Sequence, residues 1–282
     1  MNAIRSVLFA GVVCSMLIAA TAMGAGAETN EVSRALGGSV YLIRIEGAIG
    51  PSTASYISRA IDLATDGSGQ CLVIQLDTPG GLLDSTKAIV MKFLAARIPI
   101  VVYVAPGGAS AGSAGCFIVI AADIAAMAPT TNIGAAHPVQ MGAGGGAEKM
   151  DDVMKKKMEN FASSYIEAIA EKRKRNVKWA ISSVVDSSAI TAEAALATNV
   201  IDIIAADMPA LLKQLDGREV NGRKLVTAGA PVVEITPSTR EKVLQMVWRP
   251  EVMFILMLIA MYGIIGELSN PGAILPGVAG AI

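Results

Sequence analysis

Two serines, Ser110 and Ser113, stand in the small-residue run Pro106–Phe117, PGGASAGSAGCF. A serine oxygen attacks a carbonyl efficiently only when a base takes its proton and donors receive the oxyanion that forms. The run follows the apolar stretch Ile98–Ala105, IPIVVYVA, and precedes the apolar helical run Cys116–Ala126. That pattern predicts a strand, a sharp turn and a helix, with a serine near the positive end of the helix dipole. A tight turn packed with small residues explains the same letters equally well. A second turn, Asp77-Thr78-Pro79-Gly80-Gly81, also follows an apolar strand and precedes a helical stretch. Two such turns at the C-terminal edge of a parallel sheet can line one anion-binding cleft. One would offer the nucleophile; the other would offer the unobstructed N–H groups of Gly80 and Gly81.

The base is less well marked. His137, the single histidine, lies in AAHPV before a proline and is the one candidate for a Ser-His-Asp triad. A lysine is the alternative, if burial among apolar groups lowers its pKa by several units. Lys155, Lys156 and Lys157 form a run whose successive helical positions point in different directions, so one of them can face a cleft. A solvated basic patch is the competing reading. Asp77, Asp84 and Asp123 read as structural, with Asp84 near a helix start. Cys14, Cys71 and Cys116 share no metal-ligand spacing, and one histidine does not furnish a zinc site, so neither metal nor other cofactor is expected. Cys71 and Cys116 fall in apolar surroundings and read as buried free thiols.

The elements that must position these turns are those of an α/β domain over residues 37–216. Ser39–Glu46, Cys71–Leu76 and Ile98–Ala105 have strand length and composition, and between them Ala54–Ala64 and Leu82–Ala96 have helical spacing. A long amphipathic helix is expected from about Asp151 to Arg173, preceded by a loop at Gly142–Gly146. Its basic end, Lys172–Arg175, reads as a solvated helix terminus. Thr191 opens a further helix. Residues 217–250 read as a small β appendage and linker, with Asn221-Gly222 as a hairpin turn.

Both ends of the chain are apolar. Arg5, the apolar stretch Ser6–Ala22 and Ala25-Gly26-Ala27 read as a signal peptide over residues 1–27, cleaved after Ala27; an uncleaved anchor would export the domain equally. Val252–Ile265 is fourteen residues without a charge, and 251–282 reads as the start of a transmembrane region or re-entrant hairpin. Arg240, Lys242 and Arg249 would then lie on the exported side, against the positive-inside tendency. A net charge of −1 and 4 % aromatic residues give no support to a nucleic-acid partner.

The two turns, in this order, resemble those of the Clp-protease and crotonase superfamily. The combination LDTPGG, PGGASAGSAGCFI and AMAPTTNIGAAHPV, with the tail YGIIGELSNPGAILPG, resembles more closely the NfeD family of membrane-bound serine proteases in its long form. The resemblance implies a spiral of ββα units and a Ser-Lys dyad. It places the nucleophile at Ser113 in Ser113-Ala114-Gly115 rather than at Ser110, and the oxyanion donors at the N–H groups of Gly80, Gly81 and Ala114. For the base it points to Lys157, in Lys157-Met158-Glu159-Asn160, with Lys155 and Lys156 as alternates. Two departures stand out: Phe161 occupies a position where aspartate is usual, and Glu167 the position of the archaeal lysine. The resemblance further implies an apolar peptide substrate, a stomatin-type membrane protein as partner and assembly into at least a dimer. The cell membrane is the implied location, with the protease domain exported. A non-catalytic membrane scaffold is the rival reading. A crotonase-type thioester enzyme is a second, disfavoured because an exported domain lacks coenzyme A.

Overall fold

The computed structural model describes residues 38–139, 151–247 and 250–269. The expected signal peptide, the Gly142–Gly146 loop and the tail beyond Ser269 lie outside the described residues. The N-terminal half alternates strand and helix: β1 (Val40–Glu46), α1 (Pro51–Asp66), β2 (Cys71–Asp77), α2 (Leu83–Ala95) and β3 (Ile100–Val104). Pro51 starts α1, where a missing N–H costs no helical hydrogen bond. Then come β4 (Ser110–Gly112), α3 (Ala114–Ala121), β5 (Ile124–Met127) and β6 (Asn132–Gly134). The long helix α4 (Asp152–Lys172) and α5 (Val177–Val185) lead to β7 (Ala189–Thr191), α6 (Ala192–Ala197), β8 (Ile203–Ile204) and α7 (Met208–Leu215).

A six-stranded parallel sheet in the order β11-β1-β2-β3-β5-β8 organises the molecule, with β11 formed by Val232–Glu234. Successive side chains of a strand face opposite ways. Tyr41, Ile43 and Ile45 of β1 join Leu72, Ile74 and Leu76 of β2 in the larger core, under α1, α2, α3 and α4. Val40, Leu42, Cys71 and Val73 face the smaller one, closed by Leu211, Leu212 and Leu215 of α7. Beside the main sheet a three-stranded sheet, β4-β6-β7, holds the small-residue run.

Three expectations change. The apolar run Cys116–Ala126 is not one helix: α3 ends at Ala121, and Ile124–Met127 enters the sheet between β3 and β8. Asp123 makes the break, because its carboxylate accepts the Ile100 N–H at 2.9 Å and pairs with Arg173. The basic run after α4 is solvated at Lys172 and Lys174 only. Arg175 is 7 % exposed, bonds Asp202 at 2.9 Å, and donates to the carbonyls of Ile120, Ala122 and Val200. Third, the segment after Gly217 is more than an appendage. The hairpin β9 (Glu219–Val220) and β10 (Arg223–Lys224) turns through Asn221 and Gly222 at positive φ, yet β11 then returns to pair with β1.

Helices α8 (Thr239–Val247) and α9 (Pro250–Ser269) close the described chain. No single described helix is long and apolar enough to cross a membrane; α8 and Val252–Gly266 meet that test together, as a pair bent by 71°.

Candidate active site

The two small-residue turns are laced together by backbone hydrogen bonds. Asp77 Oδ1 accepts the Ser110 N–H at 3.0 Å. The Thr78 N–H donates to Ser110 O at 2.8 Å, and the Gly112 N–H donates to Thr78 O at 3.0 Å. Both backbone groups of Ser110 are thereby committed to Asp77 and Thr78, and β4 also pairs with β6. Ser113 follows β4 at the N-terminus of α3, and its N–H donates to Gly134 O at 3.1 Å. Its φ of 47° and ψ of −109° are unusual for a residue with a Cβ and cost about 1–3 kcal/mol. The side chain does not cap the helix, and among the described residues its Oγ has no hydrogen-bond partner.

Contact between the turns is closest at Gly80. With φ at +134°, it lies where an added Cβ would come within 2.7 Å of Ser113 Cβ and 3.2 Å of Ser113 Oγ. On the other side, a Cβ on Gly115 would meet Thr78 Cγ2 at 2.7 Å. Glycine at both places lets the Thr78–Leu82 segment lie directly against Ser113 and the first turn of α3.

The three expected oxyanion donors are not equivalent. The Gly80 N–H already donates to Thr78 Oγ1 at 3.1 Å, and that hydroxyl donates to Gly80 O at 3.0 Å. By contrast, the N–H groups of Gly81 and Ala114 carry no hydrogen bond among the described residues. Ala114 opens α3, so the helix dipole adds to its pull on a negative charge. Thr78, fully buried, is a part of the site that the sequence reading passed over, though DTPGG displayed it. The Gly134 carbonyl that holds the Ser113 N–H was equally invisible, because β6 lies twenty residues further along.

Helix α4 runs beside α3. At its C-terminal end Arg173 Nε donates to Ala121 O at 2.8 Å. Nearer its middle Tyr165 stacks on Phe117, with ring centroids 6.0 Å apart. The two helices thus run in the same direction. Counting back at 1.5 Å per residue, Lys157 lies about 12 Å from Tyr165, while Ser113 lies about 6 Å from Phe117. Lys157, Phe161 and Tyr165 share one helical face; Phe161 stacks on Tyr165 at 6.2 Å and carries Lys87 Nζ 5.1 Å above its ring. That face places Lys157 past the serine end of α3.

This part of α4 stands in solvent. Residues 151–157 are all exposed. Asp152, Val153, Lys156, Lys157 and Asn160 line an open groove of about 540 Å³. Lys156 pairs with Glu159 at 2.7 Å, and that pairing holds the Glu159 carboxyl below its ordinary pKa. Lys157 makes no ion pair among the described residues. A more polar cleft of about 410 Å³ lies at the opposite end of α3, lined by Asp123, Arg173 and Asp202 among others; it is remote from Ser113.

His137 is tied to α5. Its Nδ1–H donates to Val184 O at 2.9 Å. The buried thiols of Cys71 and Cys116 are free, and burial pushes both up to about 12. Among the described residues no group of three or more His, Cys, Asp or Glu is placed to hold a metal ion.

Residues 39–207 match the family described as NfeD1b, N-terminal domain. The chain belongs to the NfeD family. Over 252 residues it is 33 % identical to the membrane-bound protease PH1510 of Pyrococcus horikoshii, covering 86 % of this chain and 56 % of that one. Over 247 residues it is 29 % identical to the membrane protein NfeD1b of Bacillus subtilis, covering 86 % of this chain and 54 % of that one. The chain therefore spans about half the length of the curated relatives it matches. Among solved structures, it is similar to 1510-N membrane-bound stomatin-specific protease, a lysine-to-alanine mutant in complex with a substrate peptide. The TM-score is 0.68 at 32 % identity, covering 74 % of this chain and 96 % of that one. A serine-to-alanine mutant of the same protease gives a TM-score of 0.65 at 33 % identity, covering 71 % and 98 %. The α/β fold with its parallel sheet is thus shared with that protease.

Proposed function

We propose that this NfeD domain is a serine endopeptidase in which Ser113 is the nucleophile and Lys157 the general base. The observation that carries the reading is Ser113 itself: strained, uncapped and pressed against Gly80, with the N–H of the next residue in each turn, Gly81 and Ala114, left free. Ser113 Oγ attacks the scissile carbonyl carbon as its proton passes to Lys157 Nζ. The carbonyl oxygen takes up the negative charge between Gly81 and Ala114. Collapse breaks the C–N bond, and the Lys157 ammonium returns the proton to the leaving amine. Water, deprotonated by Lys157, then cleaves the acyl ester and restores Ser113.

Lys157 can act this way only when uncharged, and it is exposed. Desolvation must come from what covers the groove beside it, an apolar substrate segment or a neighbouring copy in an oligomer. The similarity to a membrane-bound, stomatin-specific protease supports a peptide of a stomatin-type membrane protein as the substrate and a membrane as the setting. Export of the domain completes this reading.

The exposure of Lys157 equally favours a second reading, a scaffold that binds such a segment without cutting it. Purified, membrane-reconstituted protein incubated with an apolar peptide library separates the two. The endopeptidase reading expects cleavage by wild type and its loss in Ser113→Ala and Lys157→Ala. Equal cleavage by all three would reject the dyad, and peptide binding without cleavage by wild type would favour the scaffold.

A further inference from the structure

The chemistry above makes no use of Glu241, a carboxylate only 4 % exposed. Glu241 stands in the first turn of α8, where it forms a capping box with Ser238. The Ser238 N–H donates to Glu241 Oε2 at 2.7 Å, and the Glu241 N–H donates to Ser238 Oγ at 3.3 Å. The same carboxylate accepts two bonds from Arg59, from Nε at 3.0 Å and from Nη2 at 2.7 Å, a bidentate geometry that fixes direction as well as distance. Arg59 Nη2 also donates to Thr236 O at 2.9 Å, Ser52 Oγ donates to Glu241 O at 2.9 Å, and the Tyr56 hydroxyl donates to Ile235 O. Ser52, Tyr56 and Arg59 all belong to α1. One helix therefore clasps the whole approach to α8.

The N-terminal end of α1, where Ser52 lies, also reaches the active site. It begins two residues after Ile49, whose N–H donates to Gly80 O at 2.8 Å and whose carbonyl accepts the Leu82 N–H at 2.9 Å. These two bonds hold both ends of the segment that carries the Gly81 donor and presses Gly80 on Ser113. Beyond α8 lies α9, in which Phe254, Ile255, Met257, Tyr262 and Ile264 are exposed. A helix apolar on every side and left uncovered by its own domain is suited to a lipid bilayer.

We propose that Glu241 and Arg59 are positioning residues of a latch, through which anchoring of α9 in lipid sets the Gly80–Leu82 segment beside Ser113. The catalytic consequence rests on the proteolytic reading; the mechanical coupling does not.

The test is hydrogen exchange on the full chain in phospholipid vesicles. Glu241→Ala and Arg59→Met are compared with Glu234→Gln, which breaks the exposed Arg44–Glu234 pair near β1. Release of the latch is expected to speed exchange at the Ile49 and Leu82 amides about tenfold, with β3 and β5 unchanged. Glu234→Gln is expected to move neither. Should Glu241→Ala unfold, Glu241→Gln keeps an acceptor for the cap, loses the charge, and is read in the same way. Peptide cleavage by the latch variants is expected to lose about tenfold in kcat with KM within about twofold. Unchanged exchange at Ile49 and Leu82, or a uniform rise across all strands, would overturn the latch. Local exchange changes without any wild-type cleavage would sustain the latch and reject the proteolytic reading.

Discussion

The turn that carries Ser113 and the turn of α4 that carries Lys157 differ in almost every physical respect. Around Ser113 the backbone is fixed on all sides, by Thr78, by Gly134 and by the close approach of Gly80. Around Lys157 the chain is one exposed helical turn with an open groove alongside. A nucleophile and its oxyanion donors need preorganisation to about half an ångström, which a laced pair of turns supplies. A lysine base needs desolvation, which a bound segment or a second subunit can supply at the moment of use. On the proposed dyad, the difference teaches that half of the site is finished by folding alone and half waits for what binds.

Substitutions at the two turns test that contrast. Ser113→Ala carries the largest expected effect, a loss in kcat/KM of at least about 10⁴-fold, whereas Ser110→Ala is expected to keep most activity. Next is Lys157→Ala, expected to cost about 10³-fold in peptide cleavage. Lys155→Ala and Lys156→Ala should stay near wild type; a collapse in either would move the base along the run. Gly80→Ala should lower kcat about 10²-fold, because its Cβ would displace Ser113. Arg175→Met, far from both turns, leaves Asp202 with the Ala125 N–H alone, removes a donor from three carbonyls, and should lower unfolding free energy by about 3 kcal/mol in urea titrations. The fraction that remains folded should cleave normally.

The smallest expected effect is on pH dependence at the latch. Arg59 holds the Glu241 carboxyl below the ordinary glutamate value, with the Ser238 N–H assisting. A lowered folded value means that this stabilisation is complete above the unfolded pKa and is lost as pH falls through the folded one. Exchange at Ile49 and Leu82 should therefore rise only at acid pH below the ordinary glutamate range, and Glu241→Gln should flatten that dependence. Cys71 and Cys116, pushed up to about 12 by burial, should resist alkylation at pH 8 until the chain unfolds, as mass mapping would show.

Much of this was legible in the sequence wherever the signal was local. The strands β1, β2 and β3 were plain as apolar runs, and α1, α2 and α4 were plain from spacing. The serine turn and the glycine turn announced themselves because only small residues allow such an approach. What stayed hidden depends on partners distant in sequence. Asp123 interrupts an apolar run that no local pattern divides, because Ile100 and Arg173 pull on it. Arg175 looked solvated until Asp202 and three carbonyls met it. Val232–Glu234 looked like part of an appendage, yet it finds β1 some 190 residues away. Even within DTPGG the glycines drew attention from the Thr78 hydroxyl, which holds Gly80.

The pairing of Ser113 with Lys157 is tested most directly by covalent labelling with a fluorophosphonate on the membrane-reconstituted chain, followed by peptide mapping. The adduct is expected on Ser113, with labelling that slows by about 10³-fold in Lys157→Ala. An adduct on Ser110, or Ser113 labelling at an unchanged rate in Lys157→Ala, would contradict it.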